Sequence, residues 1–534
     1  MRKDRKSRAF NCKYASPHQG FIPGFEHAFE RELDPSNRWV VLARLIPWDD
    51  LCNVYLKRTG RSGPGREPLN PRIVLGALII KYICKLDDRE TVDQISENIY
   101  MQYFLGYPSF VNDKPFDASL FVEIRKRLGM DVINALNEKI VQLKTGFGER
   151  NGKEERQSGD GEAEQPDSEQ KGSDEGENAP PPVKEHKGRI LFDATVCPQD
   201  IAYPTDLDLL SEAREISERL IDSIYAKELH GEKPRTYRQK ARKEYLQTAQ
   251  KKKKTKKQIR SAVRKQLGYL GRNIRSINHL LDVYQILPFN KRDMTYFYVI
   301  QTLYRQQLTM YRTHTHSIED RIVSIHQPHV RPMVRGKASA PVEFGAKIHL
   351  SVIDGISFLD ELSWDAFHEG SHMESYVEKY RERFGFYPRE VLADKIYCTR
   401  DNRRMLKSKG LGIHLKAKPL GRPSATAVSI HVSPGERNPI EGKFGQAKTG
   451  YGLNRIKARL KQTSESWIAG IILVLNLVKL AGAGAPYLIV KTWWNFSAFV
   501  RKVFYVPYIG YGKAKHSWCY FFPNTAQYIR VWNF

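Results

Sequence analysis

Between residues 149 and 188 the chain has almost nothing to bury. Residues 151–187 hold 11 acidic and 5 basic side chains among Gly, Ser and Gln, and the stretch closes on Pro180-Pro181-Pro182. A segment without apolar residues cannot offset the entropy of ordering, so it reads as a disordered acidic linker over 148–188. The linker divides the chain into a helical part before it and a mixed part after it. The whole has 534 residues, enough for several packed units.

The part before the linker, 36–147, follows a short N-terminal segment (1–35) and carries helical patterning. Asn70-Pro71 opens a helix, with proline in the first turn. The run IVLGALIIKYICK is apolar on most faces and reads as a central helix. Helical spacing continues from Asp87 to Tyr103, and again from Asp117, a capping residue, to Leu128. An all-α N-terminal domain fits, either for DNA binding or for dimerisation.

After the linker, Arg189 to Val196 reads as a strand, and helical, strongly basic sequence follows over 207–330. Residues 235–275 contain 16 Lys or Arg and a single acid, Glu244. Such a segment suits either a phosphate backbone or plain solvation. Strand signals return at Ala346–Ile353 and Ser357–Leu362, flanking Asp354-Gly355, a hairpin turn pair. A helix over Glu374–Phe384, short strands at Val391–Ala393 and Gly412–Lys418, and helix from Asn438 to about 484 complete the pattern. This is a mixed α/β sheet flanked by helices. Within the last helix, WIAGIILVLNLVKLAGAG (467–484) has nearly the length of a membrane span. Asn476 and Lys479 interrupt it, so it reads as a buried core helix. The tail, 485–534, is rich in aromatic residues and has no acid from 487 onward. It suits either stacking on DNA or packing against protein.

The net charge of +26 points to a polyanionic partner, most often nucleic acid. Cys12, Cys52, Cys84, Cys197, Cys398 and Cys519 form no CxxC pair and read as reduced thiols of a cytosolic protein. His314, His316, His326 and His329 fit no zinc spacing, and no P-loop or dinucleotide fingerprint is present.

Two carboxylates directly follow apolar strand runs: Asp193 in ILFDAT and Asp394 in VLADKIY. A charge in such a position is costly unless it is paired or binds a cation. Glu441 opens the basic stretch IEGKFGQAKTGYGLNRIKARL. Three convergent carboxylates can hold two hard divalent ions for in-line phosphoryl displacement. Each has a simpler explanation alone: a turn or cap for the aspartates, a favourable helix-dipole position for Glu441. Asp200, Asp206, Asp354 and Asp401 are rival acids: the first two lie beyond the first strand, the hairpin turn explains Asp354, and Asp401 lies seven positions beyond Asp394 in a polar stretch.

These stretches resemble the bacterial insertion-sequence DDE transposases, with an InsH-like N-terminal domain and an RNase H-like catalytic domain. The resemblance covers about 36–147 and 189–484. Its most specific element is a Tyr-Arg-Glu-Lys signature. Arg437, Glu441 and Lys448 match the last three members at the right spacing, whereas the tyrosine position holds Pro434. The resemblance implies a catalytic triad of Asp193, Asp394 and Glu441 that binds two Mg²⁺ or Mn²⁺ ions. Arg437, Lys443, Lys448, Arg455, Lys457 and Arg459 would contact DNA. It further implies a bacterial cytoplasmic enzyme, not a membrane protein, that cleaves and joins DNA at terminal inverted repeats as a homodimer in a synaptic complex. The catalytic domain would then comprise 189–206 and 331–484, with 207–330 leaving the sheet as a basic helical insertion. A nuclease without strand transfer and a non-catalytic DNA-binding regulator are the competing readings.

Overall fold

The computed structural model describes residues 33–59, 69–145, 186–334, 342–408, 413–417 and 434–480. The N-terminal segment up to residue 32, the acidic linker up to 185 and the tail 485–534 lie outside the described residues.

The chain begins with helices α1 (Arg38–Leu45) and α2 (Trp48–Thr59). Helix α3 (Pro71–Cys84) is the central helix the sequence predicts. Asn70 accepts from the Arg72 N–H at its start, and residues on nearly every face are buried. The helical run expected from Asp87 to Tyr103 is two helices, α4 (Asp88–Glu97) and α5 (Ile99–Leu105). Asn98 divides them: its backbone is extended and its side chain accepts from the N–H groups of Tyr100 and Met101. An asparagine that caps the next helix competes with continuing the previous one. Helix α6 (Leu120–Thr145) begins later than expected and bends at Gly129, where φ is 58° and ψ 170°.

The sheet is built around β1 (Arg189–Pro198). Strand β3 (Val342–Ile353) runs antiparallel to β1, and β4 (Ile356–Ser363) pairs antiparallel on β3. Asp354 and Gly355 make the β3–β4 turn with φ values of 50° and 79°, which explains the Asp-Gly pair as turn chemistry. Strand β2 (Pro332–Val334) pairs with the start of β3. Strands β5 (Glu390–Leu392) and β6 (His414–Lys416) extend the other side, parallel to β1. Helices α11 (Met373–Phe384) and α12 (Arg400–Ser408) belong to this part of the chain.

Residues 206–313 lie between β1 and β2 in the chain. They form α7 (Asp206–Ile224), α8 (Arg238–Ala249), α9 (Lys256–Leu281) and α10 (Lys291–Thr313). This insertion encloses its own core, with Leu210, Leu220, Leu270, Ile277, Ile300 and Leu303 buried together.

The helix expected from Asn438 to 484 is interrupted. Helix α13 (Pro434–Gly445) passes into a π turn (Gln446–Gly450), and extended chain follows to α14 (Lys461–Leu480). In that extended part buried Ile456 and Ala458 alternate with exposed Lys457 and Arg459, a period of two rather than 3.6. Ile456 joins the sheet margin: its N–H donates to the Pro198 carbonyl at 2.9 Å.

Helix α14 ties the molecule together. It is the one helix among the described residues long and apolar enough to cross a membrane, and 78% of its apolar window is buried in protein. It packs chiefly on α6, with further contacts to β4 and α3. Trp39, Phe104 and Leu136 therefore share one hydrophobic cluster with Leu350 and Ile472. This corrects the expectation of a separate all-α domain over 36–147. Those helices are too rich in apolar faces to close on themselves and use α14 as common filling.

The polar residue inside α14 has a role in this joint. Asn476 is fully buried; it donates to Asn137 on α6 and to the Ser357 carbonyl on β4, each at 2.7 Å, and accepts from the Ser357 N–H at 2.8 Å. Replacing it by leucine strands buried donors and acceptors on two neighbouring elements. Asn476→Leu is expected to cost about 3 kcal/mol, read as a lower denaturation midpoint in guanidinium. An unchanged midpoint would show that the three elements hold together without this network.

Candidate active site

Parallel pairing brings the two aspartates together. Ile190 pairs with Val391 and Leu191 with Leu392. Two residues further along each chain, Asp193 stands within β1, paired with Leu350 of β3, while Asp394 follows the end of β5, so the two acids lie side by side where the shorter strand stops. Apolar neighbours fix both segments: Ile190, Phe192, Val391 and Ala393 are buried. Asp193 accepts from the Ala194 N–H at 2.9 Å, and Asp394 accepts from the Lys395 N–H at 2.7 Å, capping a short 3-10 turn.

One cation joins the pair. Arg437 on α13 donates through Nη2 to Asp193 Oδ2 at 3.3 Å, and its Nη1 lies 3.4 Å from Asp394 Oδ1. The aspartates are unequal, with Asp193 21% exposed and Asp394 47%. Burial pushes the Asp193 carboxyl up to about 6, with the charges of Glu369 and Asp394 adding to the shift. The Ala194 N–H and Arg437 oppose it without cancelling it. An ionised Asp193 is therefore short of positive charge even with a guanidinium beside it.

Glu441 lies four residues beyond Arg437 on α13, hence one turn along on the same face, and is exposed. Among the described residues no group of three or more His, Cys, Asp or Glu side chains is assembled to hold a metal ion. The structure brings Asp193 and Asp394 together and leaves Glu441 one helical turn away.

The basic residues expected at DNA fall into different settings. Lys443 is half-buried, and burial together with nearby Lys479 pushes its ammonium down to about 8. Lys448 lies in the π turn. Arg455 bonds Asp200 at 2.9 Å. Lys457 and Arg459 are exposed on the extended segment, so the positive charge follows a strand-like edge rather than the expected cationic helix. Three rival acids are accounted for. Asp200 is the partner of Arg455, Asp206 bonds Arg321 at 2.8 Å, and Asp354 makes the hairpin.

Glu369 was not foreseen. It sits in a 3-10 turn (Glu369–His372), is paired with Lys347 at 2.8 Å, and its charge acts on Asp193. No apolar strand precedes it, so the signal that singles out the aspartates is missing. Equally hidden is a chain of polar contacts running from β3 to α6. His349 lies 3.2 Å from Asp360, Asp360 accepts from Arg383 at 2.9 Å, and Arg383 bonds Glu138 of α6 at 3.0 Å. Burial raises Asp360, but His349 and Arg383 hold it below the usual carboxylate range.

Two family models match parts of the chain. Residues 27–127 match the family described as Transposase domain (DUF772), and residues 391–478 match the Transposase DDE domain. The second match contains both Asp394 and Glu441. The chain is also 28% identical, over 206 residues, to Uncharacterized protein ORF8 in nfe locus of Rhizobium meliloti, covering 38% of this chain and 80% of that protein. No solved structure matches the chain. Two regions of the chain are thus similar to transposases, the N-terminal helices to one transposase domain and the stretch holding the end of β5 and α13 to a transposase DDE domain.

Proposed function

We propose that the protein cleaves DNA at the terminal inverted repeats of a mobile element and transfers the freed 3′ ends to target DNA. The observation that carries this reading is the Asp193–Arg437–Asp394 bridge, in which two carboxylates, one on β1 and one just beyond β5, share one positive charge. The sheet order β4-β3-β1-β5-β6, three antiparallel strands continued by two parallel ones, supports an RNase H-like catalytic domain.

The donor set suits a hard divalent cation. It offers carboxylate oxygens, with Asp193 poorly compensated in its ionised form. Asp193 and Asp394, completed by Glu441, would hold Mg²⁺ or Mn²⁺, two ions in all. Bound there, the ions supply Lewis-acid activation of the attacking hydroxyl and stabilisation of the leaving oxygen. Arg437 contributes a different chemistry: its guanidinium can exchange the carboxylates for a phosphodiester, which it contacts in bidentate fashion. Lys448, Lys457 and Arg459 neutralise the flanking backbone. Water as nucleophile gives cleavage, and a DNA 3′-hydroxyl gives joining. Holding both DNA partners in one assembly makes the second step effectively unimolecular, so a homodimer bound to two ends is the working form. The reading places the enzyme in the bacterial cytoplasm.

The test incubates the full chain with Mg²⁺, DNA carrying the repeats that flank its gene, and a plasmid target. Nicked ends and joined products are expected, and pre-cut ends should join without a cleavage step. Nicks without joining from pre-cut ends would indicate a nuclease; unchanged DNA in both Mg²⁺ and Mn²⁺ would leave a DNA-binding regulator.

A further inference from the structure

Helix α9 in the insertion has two unlike faces. Ala262, Val263, Leu267, Leu270, Ile277 and Leu280 are buried in the insertion's own core. On the opposite face Lys257, Arg264, Gly268, Arg272 and Arg275 are all exposed. Their spacings of seven, four, four and three residues bring them into one stripe, roughly 27 Å long at 1.5 Å per residue. Lys257, Arg264 and Arg275 make no ion pair with a described residue. Arg272 is steadied over the rings of Tyr269 and Tyr237, at 4.9 and 5.3 Å. Glu244, the single acid of 235–275, is already engaged by Lys265 at 3.3 Å and by Tyr269 at 3.1 Å. The stripe thus has no internal counter-charge.

Gly268 is the second observation. Glycine is a poor residue inside a helix, and where one stands there the reason is usually packing. Gly271 has such a reason: a Cβ there would meet the Tyr304 hydroxyl at 2.7 Å. At Gly268 an added Cβ meets nothing within 4 Å. The bare backbone lies between Arg264 and Arg272, where it opens the surface to close approach from outside.

We propose that this face of α9 is a track for the phosphodiester backbone of duplex DNA, separate from the Asp193–Asp394 site, with one strand passing nearest the helix at Gly268. The inference rests on the reading of the chain as a DNA-joining enzyme and adds a second, sequence-independent contact to it. A membrane surface fits less well, because insertion at a bilayer needs a free apolar face and α9 has already buried its own.

The experiment measures binding of the full chain to a random-sequence 30-base-pair duplex by fluorescence anisotropy over a range of salt. Each lost phosphate contact lowers the slope of log K against log salt by about 0.9. Arg264→Gln, Arg272→Gln and Arg275→Gln together are expected to reduce the slope by roughly 3. Gly268→Ala is expected to raise the thermal midpoint, as alanine strengthens a helix, and at the same time to weaken DNA binding. A glycine without a binding role would give the first effect alone. An unchanged slope in the triple variant, or an unchanged affinity in Gly268→Ala, overturns the proposal. So does loss of binding to phosphatidylserine vesicles in the triple variant while duplex binding is unmoved. Joining of pre-cut ends at low salt by the triple variant would show that the catalytic reading stands whichever way the slope falls.

Discussion

Asp193→Asn is expected to lower DNA cleavage by about a thousandfold while duplex binding stays within a few-fold of the unaltered protein. The amide keeps the size of the carboxylate and removes its charge. Cation chemistry at a phosphodiester is worth several kcal/mol, and about 4 kcal/mol corresponds to three decades in rate. DNA affinity is carried by basic side chains that the substitution leaves in place. The same variant has a stability signature. The folded protein holds the Asp193 proton up to about pH 6, whereas the unfolded chain releases it near the ordinary carboxylate value of 3.8. The folded state therefore binds more protons between those two values, and stability falls as pH rises through that window. The amide that replaces the carboxyl does not titrate. After allowance for the weakened Arg437 contact, the variant is expected to exceed the unaltered protein by about 1–2 kcal/mol at pH 8, with the gain gone at pH 4. Paired melting curves at the two pH values check this. A variant that cleaves DNA normally would remove Asp193 from the catalytic set, and a gain larger at pH 4 than at pH 8 would contradict the burial argument.

Asp88→Asn is expected to destabilise the fold by about 3–5 kcal/mol, the range found when one member of a buried ionic group is removed. Asp88 is the counter-ion of two buried cations. Lys81 lies at 2.9 Å with its side chain 1% exposed, and Arg125 lies at 2.8 Å with 5%. Both lie over the Trp467 ring of α14, at 4.6 and 5.4 Å. Burial pushes the Asp88 carboxyl up, yet the hydrogen bond from Arg125 and the charge of Lys81 hold it below its usual value. Its stabilising contribution is thus present above the ordinary carboxylate value and lost as pH falls through the lower, folded one. In the asparagine variant both cations remain buried without an anionic partner, Lys81 keeping only the Leu86 carbonyl at 2.8 Å. Burial already lowers Lys81, so the defect should shrink at alkaline pH as the ammonium gives up its proton. Guanidinium unfolding at pH 7 and at pH 10 measures both effects. A loss below about 1 kcal/mol at pH 7 would mean that the cluster is solvated and not buried.

What the sequence reveals and what it hides follow from the range of the interactions. Strand β1, the β3–β4 hairpin, α3 and α11 announce themselves through local pattern and turn chemistry. Asp193 and Asp394 are legible for the same reason, since each follows an apolar run and a parallel pair of strands does the rest. Asn98 and the 446–460 segment are misread because a capping side chain and a strand-like alternation interrupt otherwise helical sequence. Glu369 and the His349–Asp360–Arg383–Glu138 chain are invisible, as they depend on partners up to 245 positions apart. The merging of the N-terminal helices with the catalytic part is hidden too. An apolar helix face declares that it will be covered, but not by what.

That merging bears on how such a protein can be cut, fused or inherited. A fragment starting at residue 186 would leave the flank of α14 bare to water along the length where α6 and α3 lie, and would take Asn137 from Asn476 and Lys81, Arg125 and Tyr82 from Trp467. The two matched regions, 264 positions apart in sequence, are halves of one folding unit. Recombination that exchanged the first region for a foreign one would have to replace α14, which lies in the second, as well.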